Sequence, residues 1–502
     1  MLVHQLRPPG LTSEFVVYPP LLTLIAGDLG ILGHREPTVA QVERALQELD
    51  TTSRFAEGTL GLGSYYDAAS FVDLVYRIFT FLQDNPEKTP VWPLVVVDEY
   101  QDFTRLETAF IQQFRVTSPL LIAGDDDQAL YGFRFASPEY IRALATQASV
   151  ERHELPFCSR CTTVIVDAVN STISRATAEG SLRGRLAKPF VCYLPEKAEA
   201  SARHPTIHHA RCSIHRYMAL YVEDEIARIP DADVEESVKR GHLTALVVGR
   251  TQFVQPVFRR LKDGSYPQTQ ERRSPTFNVE PIDGYRLLAR DPQSNLGWRI
   301  LVHVAPFEDW DLAVEAALAL DEPLIERLPQ GYVEGHTEIA MLLAKASSRQ
   351  DLEAHEARRL ARALGIHTSE LAGYLVTEDI EVADESVATR GGTDEEEPAT
   401  RPSILCTSLV GAKGLSAEHV FVVGCMNGFF PVNSSYPTDD EIREFIVALS
   451  RTRAACHLVS CKVYVGPGVL QPSEFISWIA GHVTPLDVNA AYWKKRAAES
   501  AN

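Results

Sequence analysis

Among the residues able to do chemistry, two adjacent carboxylates stand out first: they close an apolar run, Pro93-Leu94-Val95-Val96-Val97-Asp98-Glu99. Open α/β sheets bind ligands beyond the carboxyl ends of their strands. A carboxylate placed there can hold a magnesium ion (Mg2+) through its water shell, and its neighbour can orient or deprotonate a water that attacks a γ-phosphate. Taken alone, the pair reads better as an acidic turn after a strand. A second acidic run, Asp125-Asp126-Asp127, follows Leu120-Leu121-Ile122-Ala123-Gly124. Three adjacent aspartates suggest a metal site, but a calcium loop needs alternating positions and a distant glutamate, which this segment does not have. Cys158 and Cys161 form the one CxxC among eight cysteines. A zinc site usually shows a second such pair or a spaced histidine pair, so the cysteines read as reduced, structural thiols.

The elements that must position these residues follow from hydrophobic patterning. Leu94–Val97, Leu120–Ala123, Leu243–Val248, Ile404–Thr407, Val420–Val423 and His457–Ser460 are continuous apolar runs. That is the signature of strands buried on both faces of a parallel sheet. Helical stretches lie between them, as in Thr38–Leu49, where Val39, Val42, Leu46 and Leu49 share a face, and in Glu139–Thr146. Strand and helix in alternation imply an α/β fold. From about Ile282 to Tyr374 the pattern turns helical, with Asp351–Leu364 amphipathic and Gly365 placed as its C-terminal cap. The segment from Glu378 to Glu397 is acidic and reads as a solvated linker. Residues from about Asp487 read as a polar, frayed tail.

With 502 residues, 45% hydrophobic and 23% charged, the chain has room for roughly three domains. Its net charge of -19 excludes a protein that coats nucleic acid by bulk attraction, because phosphate binding is driven by lysine and arginine. A narrow, locally basic track stays compatible with that charge. No apolar stretch is long enough for a membrane helix and no signal-peptide order opens the chain, which points to a cytoplasmic location.

The full string Asp98-Glu99-Tyr100-Gln101-Asp102 resembles motif two of UvrD/Rep-like superfamily 1 DNA helicases. The stretch Gly124-Asp125-Asp126-Asp127-Gln128, followed by Tyr131-Gly132-Phe133-Arg134, resembles their third motif. That resemblance implies that Gln128 senses the γ-phosphate and that Tyr131, Phe133 and Arg134 meet single-stranded DNA. Bases stack on aromatic faces without sequence preference, and arginine pairs with phosphate; the alternative puts Tyr131 and Phe133 in the core. Arg160, ten residues before Asn170, matches the fourth motif and would be a γ-phosphate ligand, although Cys158-Ser159 replaces the usual Asn-Tyr. Arg250, in Gly249-Arg250-Thr251-Gln252, resembles a second-lobe arginine that touches the DNA backbone. Lys413-Gly414-Leu415 resembles motif five and implies a DNA contact for Lys413, but Val410 replaces a histidine and Ser416 a glutamate, so the grip on nucleotide and DNA would be weaker. Asp440 to Arg453 matches motif six, with Arg451 as the arginine finger.

The resemblance implies two RecA-like parallel-sheet lobes of the P-loop NTPase type, with ATP and Mg2+ bound between them. Asp98 would be the metal ligand, and Glu99 and Arg451 the catalytic residues; Asp98, Gln128, Arg160 and Arg451 would meet the nucleotide. It also implies 3′ to 5′ stepping on single-stranded or tailed duplex DNA. The expected organisation is a partial first lobe at 1–150, second-lobe pieces at 151–281 and 401–485, a helical insertion at 282–377, a linker at 378–400 and a tail at 486–502. The first lobe is expected to be incomplete. A phosphate-cradling loop ends in Gly-Lys-Ser/Thr, and none occurs in this sequence. The glycine-containing stretches Leu21–Gly33 and Gly58–Ser64 contain no lysine. In the family that loop lies further upstream of the acidic pair than the 97 residues that precede Asp98 here. Three readings stay open: an N-terminally shortened helicase, a chain completed by another polypeptide, and a non-hydrolysing DNA-binding relative. A partner nuclease is a further candidate.

Overall fold

Apolar runs bounded by capping residues and glycines set most of the elements. The computed structural model describes residues 8–35, 37–50, 53–272, 278–348, 350–371, 401–464 and 468–500; the acidic linker at 378–400 lies outside them. The chain divides into two units. The first contains residues 1–97, 103–122 and 276–388, and the second 98–102, 123–275 and 389–502.

The first unit is mainly helical. Its strands are short: β1 (Val16–Val17) pairs in parallel with β2 (Ala68–Ala69), and β3 (Val95–Val97) with β4 (Leu120–Ile122). Thr38 caps the helix Val39–Gln47 through a capping box with Gln41, and Ser70 caps Phe71–Asp84. The helices from Pro281 to Leu364 fall between sheet strands in sequence, yet Leu296 and Ile300 pack with Leu21, Leu24 and Ile25 in one core. An ion pair is sealed into this core: Arg299 meets Asp28 at 2.7 Å, and Tyr66 donates to the same carboxylate at 2.7 Å. Both glycine-containing stretches are helices, Leu21–Ile31 and Arg54–Tyr66. Two of their glycines serve packing, since a Cβ on Gly58 would stand 2.5 Å from Leu29 and one on Gly63 2.9 Å from the Ala68 carbonyl. The amphipathic run near residue 351 folds as Ala354–Leu364, and Gly365 takes the left-handed cap at φ 71°.

The second unit is built on an all-parallel seven-stranded sheet. A small pair, β5 (Phe157–Cys158) with β6 (Val191–Cys192), stands apart from it. The strands of the main sheet are β7 (Ile207–Cys212), β8 (Leu243–Gly249), β9 (Gln270–Arg272), β10 (Ile404–Thr407), β11 (Ala417–Val423), β12 (Thr452–Cys461) and β13 (Val483–Val488), in the order β13-β7-β12-β11-β8-β10-β9. Strand periodicity divides the side chains between two cores. Leu246, Val248, Val420 and Val422 face the helices Thr163–Ala178 and Asp439–Ser450, whereas Ala245, Val247, Phe421 and Val423 face Arg216–Ile226 and Thr251–Asp263. The expected tail is ordered instead: β13 is followed by a helix, Ala490–Ser500, whose Tyr492 and Trp493 pack on the second of these cores. Among the described residues no helix is long and apolar enough to cross a membrane.

Candidate nucleotide and DNA site

The second unit gathers the polar residues that follow β3 and β4. Asp98 and Glu99 are both exposed. Asp98 Oδ1 accepts the Glu99 amide at 2.8 Å, and Glu99 adopts φ 53°, a left-handed conformation that non-glycine residues hold only where neighbours enforce it. The neighbours are the buried Tyr100 and Gln101 of the 3₁₀ turn Tyr100–Asp102. Gln101 Nε2 donates to Glu99 Oε2 at 2.5 Å, and its Oε1 accepts the Asp125 amide at 2.9 Å. One side chain therefore sets the acidic pair against the loop that follows β4. Gly124 makes room for it, because a Cβ there would lie 2.5 Å from Gln101 Oε1.

That loop is shaped by its carboxylates. Asp125 caps the 3₁₀ turn Asp126–Gln128 and accepts Gln128 Nε2 at 2.7 Å. The amide so oriented turns its Oε1 to Arg451 Nη2, 2.8 Å away. The three aspartates are held by cations: Lys188 lies 2.7 Å from Asp125 and 3.0 Å from Asp127 and also contacts Asp126, Arg142 meets Asp126 at 2.9 Å, and Arg185 meets Asp127 at 2.8 Å. Their oxygens are thus occupied by cations of the protein itself.

Arg451 caps the helix Asp439–Ser450 and is buried. Burial, and then the neighbouring Arg160, bring its guanidinium down to about 10. Arg160 reaches the Ser450 carbonyl at 3.4 Å. Two guanidiniums and one oriented amide thus share a neighbourhood that would favour an anion. Lys413 has a side chain only 7% exposed; it lies 3.3 Å from Glu99 Oε2, contacts Asp102, donates to the Gln128 carbonyl at 3.1 Å and stands 5.6 Å from the Tyr131 ring centroid. Burial pushes the Asp102 carboxyl up against the pull of Lys413. The motif reading expected Lys413 on DNA; here its ammonium meets Glu99 and Asp102.

Tyr131 is half-buried, while Phe133 is 69% exposed and Arg134 is exposed. The two rings are 6.0 Å apart. Arg250 lies at the start of the helix Thr251–Asp263 and pairs with Glu444 at 3.4 Å. Val410 falls in a 3₁₀ turn, and Ser416 accepts a 3.4 Å bond from Arg453. All eight cysteines are free thiols. The motif reading missed Gln101 as the link between the two acidic segments, and Arg142, Arg185 and Lys188 as the cations that hold the loop. The cluster Arg183-Gly184-Arg185-Leu186-Ala187-Lys188 was the available signal in so acidic a chain.

Residues 28–149 match the UvrD/REP helicase N-terminal domain. DNA helicase II of Haemophilus influenzae is 23% identical over 456 residues, 81% of this chain and 61% of the relative. RecBCD enzyme subunit RecB of Mycobacterium tuberculosis is 31% identical over 117 residues, 22% of this chain and 10% of the relative. An ATP-dependent helicase/nuclease subunit of Natranaerobius thermophilus is 32% identical over 127 residues, 23% of this chain and again 10% of the relative. The matched chain therefore spans less than two thirds of each relative. The chain combines a mixed α/β architecture with a loop that joins acidic pair, glutamine and arginine. The chain is related to the UvrD-like superfamily 1 helicases.

Proposed function

We propose that this chain is the motor portion of an ATP-dependent DNA helicase or single-stranded DNA translocase of the UvrD/Rep type, moving 3′ to 5′. In this reading the seven-stranded unit contains a RecA-like lobe, and the exposed Tyr131-Gly132-Phe133-Arg134 turn is a DNA grip. The observation that carries it is the Gln128 to Arg451 bond of 2.8 Å, which joins two motifs 323 residues apart beside Arg160 and Glu99. A γ-phosphate taking the place of that bond would meet an amide and a guanidinium already oriented by Asp125 and by the helix end. Glu99 would orient the attacking water.

The exposed Asp98 carboxylate is a hard oxygen donor that fits Mg2+, which usually keeps most of its waters and takes one or two protein carboxylates. When bound with ATP the ion neutralises charge on the phosphates. Because two relatives are named as parts of the RecBCD enzyme and of a helicase/nuclease, an assembly containing a nuclease is a candidate partner.

A second reading, a DNA-binding relative that does not hydrolyse ATP, draws support from the sequence and from both glycine-containing stretches folding as helices. Turnover of ATP with and without single-stranded DNA separates the two. The motor reading expects DNA-stimulated hydrolysis that falls about 100-fold or more in Glu99→Gln and about 1,000-fold in Arg451→Ala. DNA binding with wild-type turnover no higher than in these variants would establish the second reading.

A further inference from the structure

The second unit carries another polar constellation that shares no residue with the candidate nucleotide site. His204 caps the helix Leu194–Arg203, Asp233 lies in the first turn of Asp231–Arg240, and His419 belongs to β11. Both imidazoles present Nε2 to the same oxygen: His204 stands 3.2 Å and His419 3.0 Å from Asp233 Oδ2. Arg203 takes the other carboxylate oxygen, Oδ1, at 2.7 Å. The side chains of His204, Asp233 and His419 are 12%, 1% and 7% exposed. One donor atom from each lies within 4.8 Å of the others.

These separations are close to those of a coordination shell. With metal–ligand bonds of about 2.0 Å, adjacent ligands of a tetrahedral ion stand about 3.3 Å apart. Two imidazoles and a carboxylate suit zinc and its transition-metal neighbours rather than calcium or magnesium. Three protein donors leave a position for water, and Arg203 orients the carboxylate as outer partners of metal ligands do. A second observation lies alongside. His457 stacks on His419 with centroids 6.0 Å apart and shares a 2.9 Å hydrogen bond between its Nδ1 and the Tyr221 hydroxyl, while its buried Nε2 has no hydrogen-bond partner among the described residues. A buried polar atom left unmatched is uncommon, and a metal-bound water is one group able to satisfy it.

We propose that His204, Asp233 and His419 bind one divalent transition-metal ion of the zinc class, which clamps two helices to the central sheet. The test uses the whole chain, stripped with chelator and dialysed against cobalt(II) or zinc(II). The expected result is one ion per chain, a cobalt spectrum of nitrogen and oxygen ligation without thiolate charge-transfer bands, and a higher melting temperature with zinc than with chelator. His204→Ala, at a helix end, should lose affinity at least ten-fold and lose the metal-dependent rise in melting temperature. Should that variant fail to fold, stoichiometry and spectrum of the unaltered chain decide. Failure to retain an ion at micromolar free metal, thiolate bands that assign the ion to Cys158 and Cys161, or unchanged binding by folded His204→Ala would each overturn the proposal. The trio would then be a hydrogen-bonded hub alone.

Discussion

Single side chains in the candidate site are placed by other side chains rather than by backbone alone. Gln128 is the clearest case: Asp125 holds its amide nitrogen, so its oxygen is left for Arg451. Phe133 is the opposite case, a large ring that is 69% exposed beside the half-buried Tyr131. An aromatic ring that gives folding little buried area is suited to stack on a base, which contributes about 1–3 kcal/mol. Phe133→Ala should therefore weaken single-stranded DNA binding by roughly 5- to 150-fold in fluorescence anisotropy. Its stability should stay within about 0.5 kcal/mol of the parent, as for other exposed substitutions. Lower stability with unaltered affinity would make the ring structural.

The loop after β4 owes its shape to three aspartates and three cations. Asp126 is 1% exposed and meets Arg142 and Lys188 while accepting the Leu186 amide at 3.0 Å. Removing one partner of a buried pair leaves the others desolvated and unmatched, at a cost of about 3–5 kcal/mol. Asp126→Ala should lower the urea midpoint accordingly, and a shift below about 1 kcal/mol would show that the network is loosely held. Strands β3 and β4 behave differently from the sheet of the second unit. Their apolar runs predict burial on both faces, yet Val96 and Leu121 are 60% and 56% exposed. The reason is topological: among the described residues these strands pair only with each other, so no wider sheet carries helix layers over both of their faces.

At the scale of the molecule, acid lability follows from histidines built into the large sheet. His209 in β7 is buried and bonded to Ser460 Oγ at 2.8 Å, and burial brings it down to about 4. The folded state keeps this imidazole neutral where the unfolded chain, near 6.5, takes up a proton. Its contribution is therefore fully present above about pH 6.5 and is lost as pH falls toward 4. The size is about 3 kcal/mol, from roughly 1.4 kcal/mol per unit. Chemical denaturation between about pH 7 and about pH 4 should show this loss, and His209→Gln should flatten part of the slope. An unchanged slope in the variant would assign the acid sensitivity to other groups.

Local chemistry made much of this protein legible before folding. Continuous Val, Ile and Leu runs marked β8, β10 and β11 because strands covered on both faces need no polar alternation, and the acid pair, the glutamine and the motif-six arginine were marked by type and spacing. β7 escaped such reading because Ile207-His208-His209-Ala210-Arg211-Cys212 is interrupted by two histidines and an arginine. Its burial depends on neighbours β12 and β13, which no local pattern contains. The helices from Pro281 onward were recognisable as helices, but their core partners, residues 21–29, lie at the far end of the sequence. The same holds for Gln128 with Arg451 and for His204 with Asp233 and His419. Hydrogen bonding and burial join residues by distance in space, so the tertiary structure alone decided which side chains meet.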